Sequence, residues 1–397
     1  MIIKLWLIIA LVVLWLFRCG TYKGSIQLLY IALAMLVVRE IDVPYLGDVT
    51  PSTILYLLLF LSCSVIYSKD LRNWSAYIIF MLFSLILGLL YDPARASHWF
   101  FNLITVAAAA FAANNLLKTE EQLQKYAKVF VWVCFIFNFT TIIAYYGYYD
   151  GIVLFNQIDE SGADVTDFHS SRIYGICYTN LMQAVACSSI CLLPDLKMNG
   201  KLKYFVLAVL IFGGIVTLKR MTFITIILST VYYIYRESKL GNGFAKYMIL
   251  IMLLVIVPAF WEALKYRFNF LDAGMASDRS VDRRNEMSVW AYEQFLKSPI
   301  FGKGAGYGIF IHNGVMEILC NCGILGILII LGRFKSVIHG LRIMNPWAVA
   351  FAVYFVTTFC LEASINRQQT LTVMGILFGG YLVSLRTNYS NTNNMGK

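Results

Sequence analysis

The sequence predicts an all-α fold: a polytopic transmembrane helical bundle of about 12–13 spans, with a long outer-face loop that carries an amphipathic helix. Three observations predict it. Of 397 residues, 59% are hydrophobic and 14% are charged, whereas a soluble domain averages about 25% charged. Apolar runs of about 15–20 residues recur along the chain, close to the roughly 20 that a helix needs to cross a hydrocarbon core. Lysine and arginine sit in short clusters between those runs. Backbone groups in lipid must bond internally, which leaves helices or closed barrels. Runs this long and continuously apolar exclude barrel strands.

Taken in order, the runs place spans at 2–17, 26–38, 51–67, 76–90, 100–116, 127–147, 177–194, 204–218, 221–235, 247–261, 314–331, 346–362 and 370–385. The first has only Lys4 as a basic flank and no small-x-small cleavage site behind it, so it reads as a retained span rather than a signal peptide. The chain organises into N-terminal transmembrane helices (1–147), a core (148–345) with the outer loop 262–312, and C-terminal helices with a cytoplasmic tail (346–397).

Loop charge orients the bundle, because cytoplasmic loops carry the excess of lysine and arginine. One side receives Arg18 and Lys23, Lys69 and Arg72, Lys118 and Lys125, Lys201 and Lys203, Arg236 and Lys239, Arg333 and Lys335, and Arg386. The other receives isolated residues such as Arg39, Arg95, Arg172 and Arg367. The first side is therefore cytoplasmic. The long segment 262–312 carries seven basic residues on the outer side, but long loops are weak orientation signals.

The net charge of +10 belongs to this loop pattern, so nucleic acid is excluded as a partner and membrane lipids are expected. Most of the nine cysteines lie inside apolar runs and none has a four-ligand zinc spacing. They read as small buried hydrophobes, and no metal or cofactor is expected.

Tyr204 to Tyr235 is uncharged except for Lys219 and Arg220. As one helix it would be about 48 Å long, well beyond the core thickness, so it must break. A hairpin with Thr217-Leu218-Lys219-Arg220 at its outer tip is the simplest break. Arg220 then sits near the interface, where a cation marks either function or snorkelling. Arg172, followed by Gly175 and Thr179-Asn180, makes a polar mouth before another span; a helix cap explains the last two residues equally well.

The outer loop contributes Arg279, Arg283 and Arg284, then a helical stretch to Lys297 with Val289, Tyr292 and Leu296 on one face. It continues through SPIFGKGAGYG to His312-Asn313, directly before a span. The glycines spell neither a dinucleotide fingerprint nor a Walker loop; they make a tight turn back to the membrane. His312 is one of four histidines. Glu317 follows on the first turns of the next helix, and Asn313 fits either a substrate contact or a cap. Several cations beside one titratable base suit a phosphate-bearing ligand and a proton transfer.

With these residues set out, the region from Arg172 to Leu331 resembles the superfamily of bacterial O-antigen polymerases and O-antigen ligases. The resemblance rests on Arg172-Ile-Tyr-Gly175 with Thr179-Asn180, on Lys219-Arg220, and on Arg284 through Pro299, Phe301-Gly302 and Gly304-Ala-Gly306. Its most specific part is His312-Asn313, nine residues, then Gly323-Ile-Leu-Gly326. The family's proline-asparagine is reduced here to Thr179-Asn180, and its serine before the arginine is Lys219.

The resemblance implies a metal-independent membrane glycosyltransferase in the bacterial inner membrane, with its active site facing the periplasm. The substrate would be an oligosaccharide on undecaprenyl pyrophosphate. Arg172, Arg279, Arg283 and Arg284 would bind the pyrophosphate, and Arg220 would stabilise the charge that grows as it leaves. His312 would take the proton of the acceptor hydroxyl, with Asn313 and Glu317 as further substrate contacts and Glu317 as a rival base. A chain-length regulator is a candidate partner. The acceptor would be another lipid-linked repeat in a polymerase or a lipid A core sugar in a ligase; the polymerase is favoured because polymerases vary more in sequence. A polysaccharide flippase is a third reading, disfavoured because the charges gather outside the spans.

Overall fold

The computed structural model describes residues 2–38, 41–43, 47–149, 181–217, 220–242, 247, 279–308, 311, 313–360 and 368–395. Helices occupy every predicted span within this set: α1 (Ile2–Arg18), α2 (Tyr22–Ala34), α3 (Pro51–Ile66), α4 (Ser68–Leu71), α5 (Ser75–Leu89), α6 (Pro93–Leu116), α7 (Glu120–Tyr149), α8 (Leu181–Ser188), α9 (Gly200–Val216) and α10 (Arg220–Lys239). There follow α11 (Arg279–Lys297), α12 (Gly314–Phe334), α13 (Ser336–Arg342), α14 (Pro346–Tyr354) and α15 (Gln368–Met395). The span predicted at 247–261 lies outside the described residues. A short hairpin of β1 (Ile41–Val43) and β2 (Gly47–Val49), unforeseen from the hydropathy pattern, joins α2 to α3.

Among the described residues, five helices are long and apolar enough to cross a membrane, or six if the pair Ser336–Arg342 and Pro346–Cys360, bent by 118°, counts as one span. Shorter apolar helices cover Trp6–Arg18, Tyr22–Val37 and Pro51–Ile66. The cysteines behave as small hydrophobes: Cys63, Cys134, Cys187, Cys191, Cys320 and Cys322 are buried thiols, while Cys19 and Cys360 are half-buried.

The chain forms two compact units, Met1–Phe130 with Met287–Lys397, and Val131–Glu286. In the first, α6 and α15 lie side by side at close range. An alanine-rich stretch of α6 faces Gly375 and Gly379 of α15; a Cβ at Gly375 would stand 2.5 Å from the Val106 carbonyl oxygen. Small residues four apart let helix backbones approach this closely in apolar surroundings. At the far end Arg386 donates to the Asn114 carbonyl at 3.0 Å and to that of Leu117, capping the C-terminus of α6. Lys118 lies 4.8 Å over the Tyr67 ring. Burial and the neighbouring Arg386 lower its ammonium pKa, against the pull of Asp70.

These contacts fix the helix directions within the first unit. Thr53 of α3 bonds Thr372 of α15 at 3.0 Å. Trp99 of α6 bonds Glu317 of α12, and Arg333, at the other end of α12, stacks 4.0 Å over Trp74 before α5. Helices α3, α6, α12 and α15 thus begin at one end of the unit, and α5 finishes there. That is the alternation the loop charges assign.

The second unit contains the predicted hairpin. Helix α9 stops at Val216 and α10 starts at Arg220, with Leu218 and Lys219 outside the described residues. The two run antiparallel, because Lys203 at the start of α9 pairs with Glu237 near the end of α10 at 3.2 Å. Arg236 meets Asp195 at 3.0 Å at the same end. Deeper in the unit, Asn138 of α7 donates to the Leu210 carbonyl of α9 at 3.1 Å.

Helix α12 is broken at Gly323, with φ 65° and ψ −167°, a conformation essentially confined to glycine. The loop 299–308 supplies the partners that the break removes. Lys303 N–H donates to the Cys320 carbonyl and Gly304 N–H to that of Asn321, both at 2.9 Å; Ile324 N–H donates to the Pro299 carbonyl at 2.8 Å. A Cβ at Gly323 would lie 2.4 Å from the Ile300 carbonyl oxygen, whereas at Gly332 it would meet nothing within 4 Å. We therefore expect Gly323→Ala to destabilise the protein by about 1–3 kcal/mol and Gly332→Ala to be neutral, read as thermal unfolding in detergent. Equal midpoints for the two variants would refute this role for the break.

Candidate functional site

The predicted site residues divide between the two units by their place in the chain. Arg172, Arg220, Arg279, Arg283 and Arg284 fall within Val131–Glu286, and His312, Asn313 and Glu317 fall in the other unit. Arg172 and His312 lie outside the described residues, as does Thr179-Asn180. Arg220 is the first residue of α10, and Arg279, Arg283 and Arg284 occupy the first turns of α11; their side chains are outside the description.

Asn313 and Glu317 are described in full. Asn313 has extended backbone, φ −153° and ψ 105°, and its side chain accepts from Met316 N–H at 3.1 Å. It is the N-cap of α12, one of the two roles its position allowed. Glu317 is one turn further in and fully buried. A carboxyl at that depth needs donors, and the Trp99 indole N–H supplies one at 3.1 Å. One residue earlier on α6, His98 pairs through Nε2 with the Asn102 amide at 2.9 Å. Trp99 thus brings a second helix to the start of α12, next to the His98–Asn102 pair on α6. Sequence reasoning passed over them; the signal was His98 four residues before Asn102, one helical turn apart, in an otherwise apolar run.

The glycine-rich loop holds this corner in place. Ala305 N–H donates to the Ser84 carbonyl of α5 at 2.8 Å. Gly304, with φ 103°, presses so closely that a Cβ would stand 2.5 Å from the Gly88 nitrogen. The Asn321 side chain closes both polar groups of Gly308, accepting from its N–H at 2.8 Å and donating to its carbonyl at 2.9 Å. Gly308 is thereby tied to α12.

Helix α11 has its sequence-predicted apolar face exposed: Val289 by 59%, Tyr292 by 52% and Leu296 by 56%. Its covered face carries Ala291, which packs with Ile311 and Cys320, and Gln294, which accepts from the Tyr307 hydroxyl at 3.3 Å. Trp290 stacks on Tyr307 at 6.0 Å. Ala291, Gln294 and Trp290 hold the helix against the protein, while Val289, Tyr292 and Leu296 face away from it.

Among the described residues no group of three His, Cys, Asp or Glu side chains gathers as a metal site. No protein-family model, curated protein or solved structure matches this chain. The class its own residues define is a multi-pass helical membrane protein.

Substitutions at two positions test the corner. Asn313→Ala should lower stability by about 1 kcal/mol and Asn313→Asp should not, because aspartate also caps. Trp99→Phe should remove about 1–3 kcal/mol by leaving the Glu317 carboxyl short of a donor. Thermal unfolding reads both; a destabilised Asn313→Asp or an unchanged Trp99→Phe would refute the respective role.

Proposed function

We propose that this protein is a bacterial polysaccharide polymerase of the O-antigen or capsular type. It transfers a glycan from undecaprenyl pyrophosphate to a sugar hydroxyl of another lipid-linked repeat unit, on the outer face of the inner membrane. The observation that carries this reading is the ordered series Arg172, Lys219-Arg220, Arg284 to Gly306, and His312-Asn313 followed by Gly323-Ile-Leu-Gly326. The local geometry supports it. Gly323 breaks α12, the glycines of 302–306 fill that break, and Asn313 starts the helix immediately after His312. Three separated parts of the pattern thereby meet in one structural unit.

In this reaction the His312 imidazole takes the proton of the acceptor hydroxyl. The oxygen attacks the anomeric carbon, the bond from that carbon to the phosphate oxygen breaks, and undecaprenyl pyrophosphate leaves with the electron pair. Arg172, Arg220, Arg279, Arg283 and Arg284 would bind the pyrophosphate through the planar two-donor contacts that a guanidinium allows. No step needs a divalent ion, since the leaving group is already an anion that guanidinium groups can stabilise. The exposed Val289, Tyr292 and Leu296 of α11 suit a helix lying at the lipid interface beside the site.

Gene deletion followed by a glycan ladder on a gel tests the assignment. Chains capped with a single repeat indicate a lost polymerase. Unsubstituted core with accumulated lipid-linked polymer indicates a ligase and overturns the reading, as does an unaltered ladder. Within it, His312→Ala should cut turnover of purified lipid-linked donor by about 10²–10⁴; if His312→Ala stays active and Glu317→Gln is dead, the base is Glu317. Arg220→Lys should fail to restore the activity lost in Arg220→Ala, because an ammonium cannot make the two-donor contact; near-normal polymer from the lysine variant would reduce Arg220 to an anchor.

A further inference from the structure

The segment that repairs the break in α12 meets that helix well inside its length. Ile324 and Leu325 donate their N–H groups to the carbonyls of Pro299 and Ile300, at 2.8 and 3.2 Å. Ile324 comes ten residues after Gly314, where α12 begins, or about 15 Å along a helix at 1.5 Å per residue. A second helix gives a similar depth. The Phe301 ring lies 5.5 Å from that of Phe83, and Phe83 precedes the end of α5 at Leu89 by six residues, about 9 Å. From there the chain climbs back. Ala305 N–H reaches the Ser84 carbonyl at 2.8 Å, and a Cβ on Gly306 would stand 2.5 Å from the Arg95 carbonyl carbon, in the first turn of α6. Both α5 and α12 belong to segments long and apolar enough to span a membrane. Against a hydrocarbon core about 30 Å thick, residues 299–301 lie about a third to a half of the way in.

The side chains follow the same gradient. Just beyond the end of α5, Tyr91 packs against Tyr307 at 5.3 Å, and Tyr307 stacks on Trp290 at 6.0 Å. Tryptophan and tyrosine gather at the level of lipid headgroups. Lys297 reaches back one turn towards this cluster, donating to Gln294 Oε1 at 3.4 Å, the direction in which an immersed cation snorkels. On the deeper side the segment is apolar and open. Leu296 is exposed, as are Ile300 by 60% and Phe301 by 45%. Phe301 touches Phe83 of α5, and Pro299 and Ile300 are bonded to the chain at Ile324 of α12. Phe83 and Ile324 are themselves exposed, so the open face of the segment continues the outer surfaces of two membrane-spanning helices.

We propose that residues 296–301 are a re-entrant segment: they dip into the leaflet at which α12 begins, and Leu296, Ile300 and Phe301 pack against the acyl chains of bilayer lipids. Helix α11 then slants into the bilayer, with Trp290 and Tyr292 at the interface and Leu296 below it. The break in α12 makes this possible, because its freed backbone groups satisfy those of the dipping chain. The inference rests on the membrane-spanning class of the protein and not on the polymerase reading.

Spin labelling of the full-length protein in phosphatidylcholine–phosphatidylglycerol nanodiscs tests it. Glu293→Cys, Leu296→Cys, Ile300→Cys, Phe301→Cys and Ile86→Cys each carry a nitroxide, with the signal of the labelled parent protein subtracted. Oxygen concentrates in hydrocarbon and a nickel chelate in water, so the ratio of their effects on relaxation reads depth. Ile300 and Phe301 should match Ile86, an exposed position within α5, several-fold above Glu293, with Leu296 between. A second readout keeps an aromatic ring in place: p-benzoylphenylalanine at position 301, irradiated, should add the mass of a phospholipid to the intact protein. Ile300 and Phe301 as open to nickel as Glu293 would show a water-facing loop and overturn the proposal. Low access to both reagents with an immobilised spectrum would show a protein neighbour in place of lipid and overturn it too, as would the absence of a lipid adduct at 301 when the same residue at position 86 yields one.

Discussion

The constraint on which the first unit depends is that backbone N–H and C=O groups in apolar surroundings must all find partners. Helix α12 is interrupted at Gly323, so it loses partners on both sides of the break. The loop 299–308 restores them from outside the helix, through Lys303, Gly304, Pro299 and Ile300. The same loop is fastened to α5 through Ser84 and to α12 again through Asn321. A non-helical backbone of this kind survives at depth only where protein surrounds it, and in membrane proteins it recurs beside binding sites.

That interlock gives meaning to residues that look unrelated along the chain. The glycines at 302–306 and Gly323 are two halves of one joint, since a Cβ at Gly302 would meet Asn321 and one at Gly323 would meet Ile300. The joint fixes where the N-terminal half of α12 points, and with it Asn313 and Glu317. Trp99, reaching from α6 to Glu317, ties that half to the best-packed helix pair of the unit, α6 with α15.

Polar side chains elsewhere follow a division of labour. At the end of the first unit with Lys118 and Arg386, and at the end of the second with Asp195, Arg236, Lys203 and Glu237, charges pair with one another or with helix carbonyls. Such contacts anchor helix ends; the Lys203–Glu237 pair is largely buried, so removing one partner would strand the other charge. At the opposite end of the first unit the buried groups are amides, hydroxyls and the Glu317 carboxyl, which accepts from the Trp99 indole.

The sequence by itself determined the helical class, the places of the helices and their alternating directions. These follow from local quantities: run length against bilayer thickness, and the lysines and arginines of the short loops. It also determined that Tyr204 to Tyr235 must fold back, since one helix of that length overshoots the core. The hairpin β1–β2 escaped it because three-residue strands carry no usable period. The Trp99–Glu317 contact escaped it because it joins helices far apart in the chain. The role of Asn313 as a cap became visible through its φ and the Met316 bond. Only the tertiary structure could decide these, because whether a buried amide is satisfied depends on what the neighbouring helix places opposite it, and no local pattern encodes that.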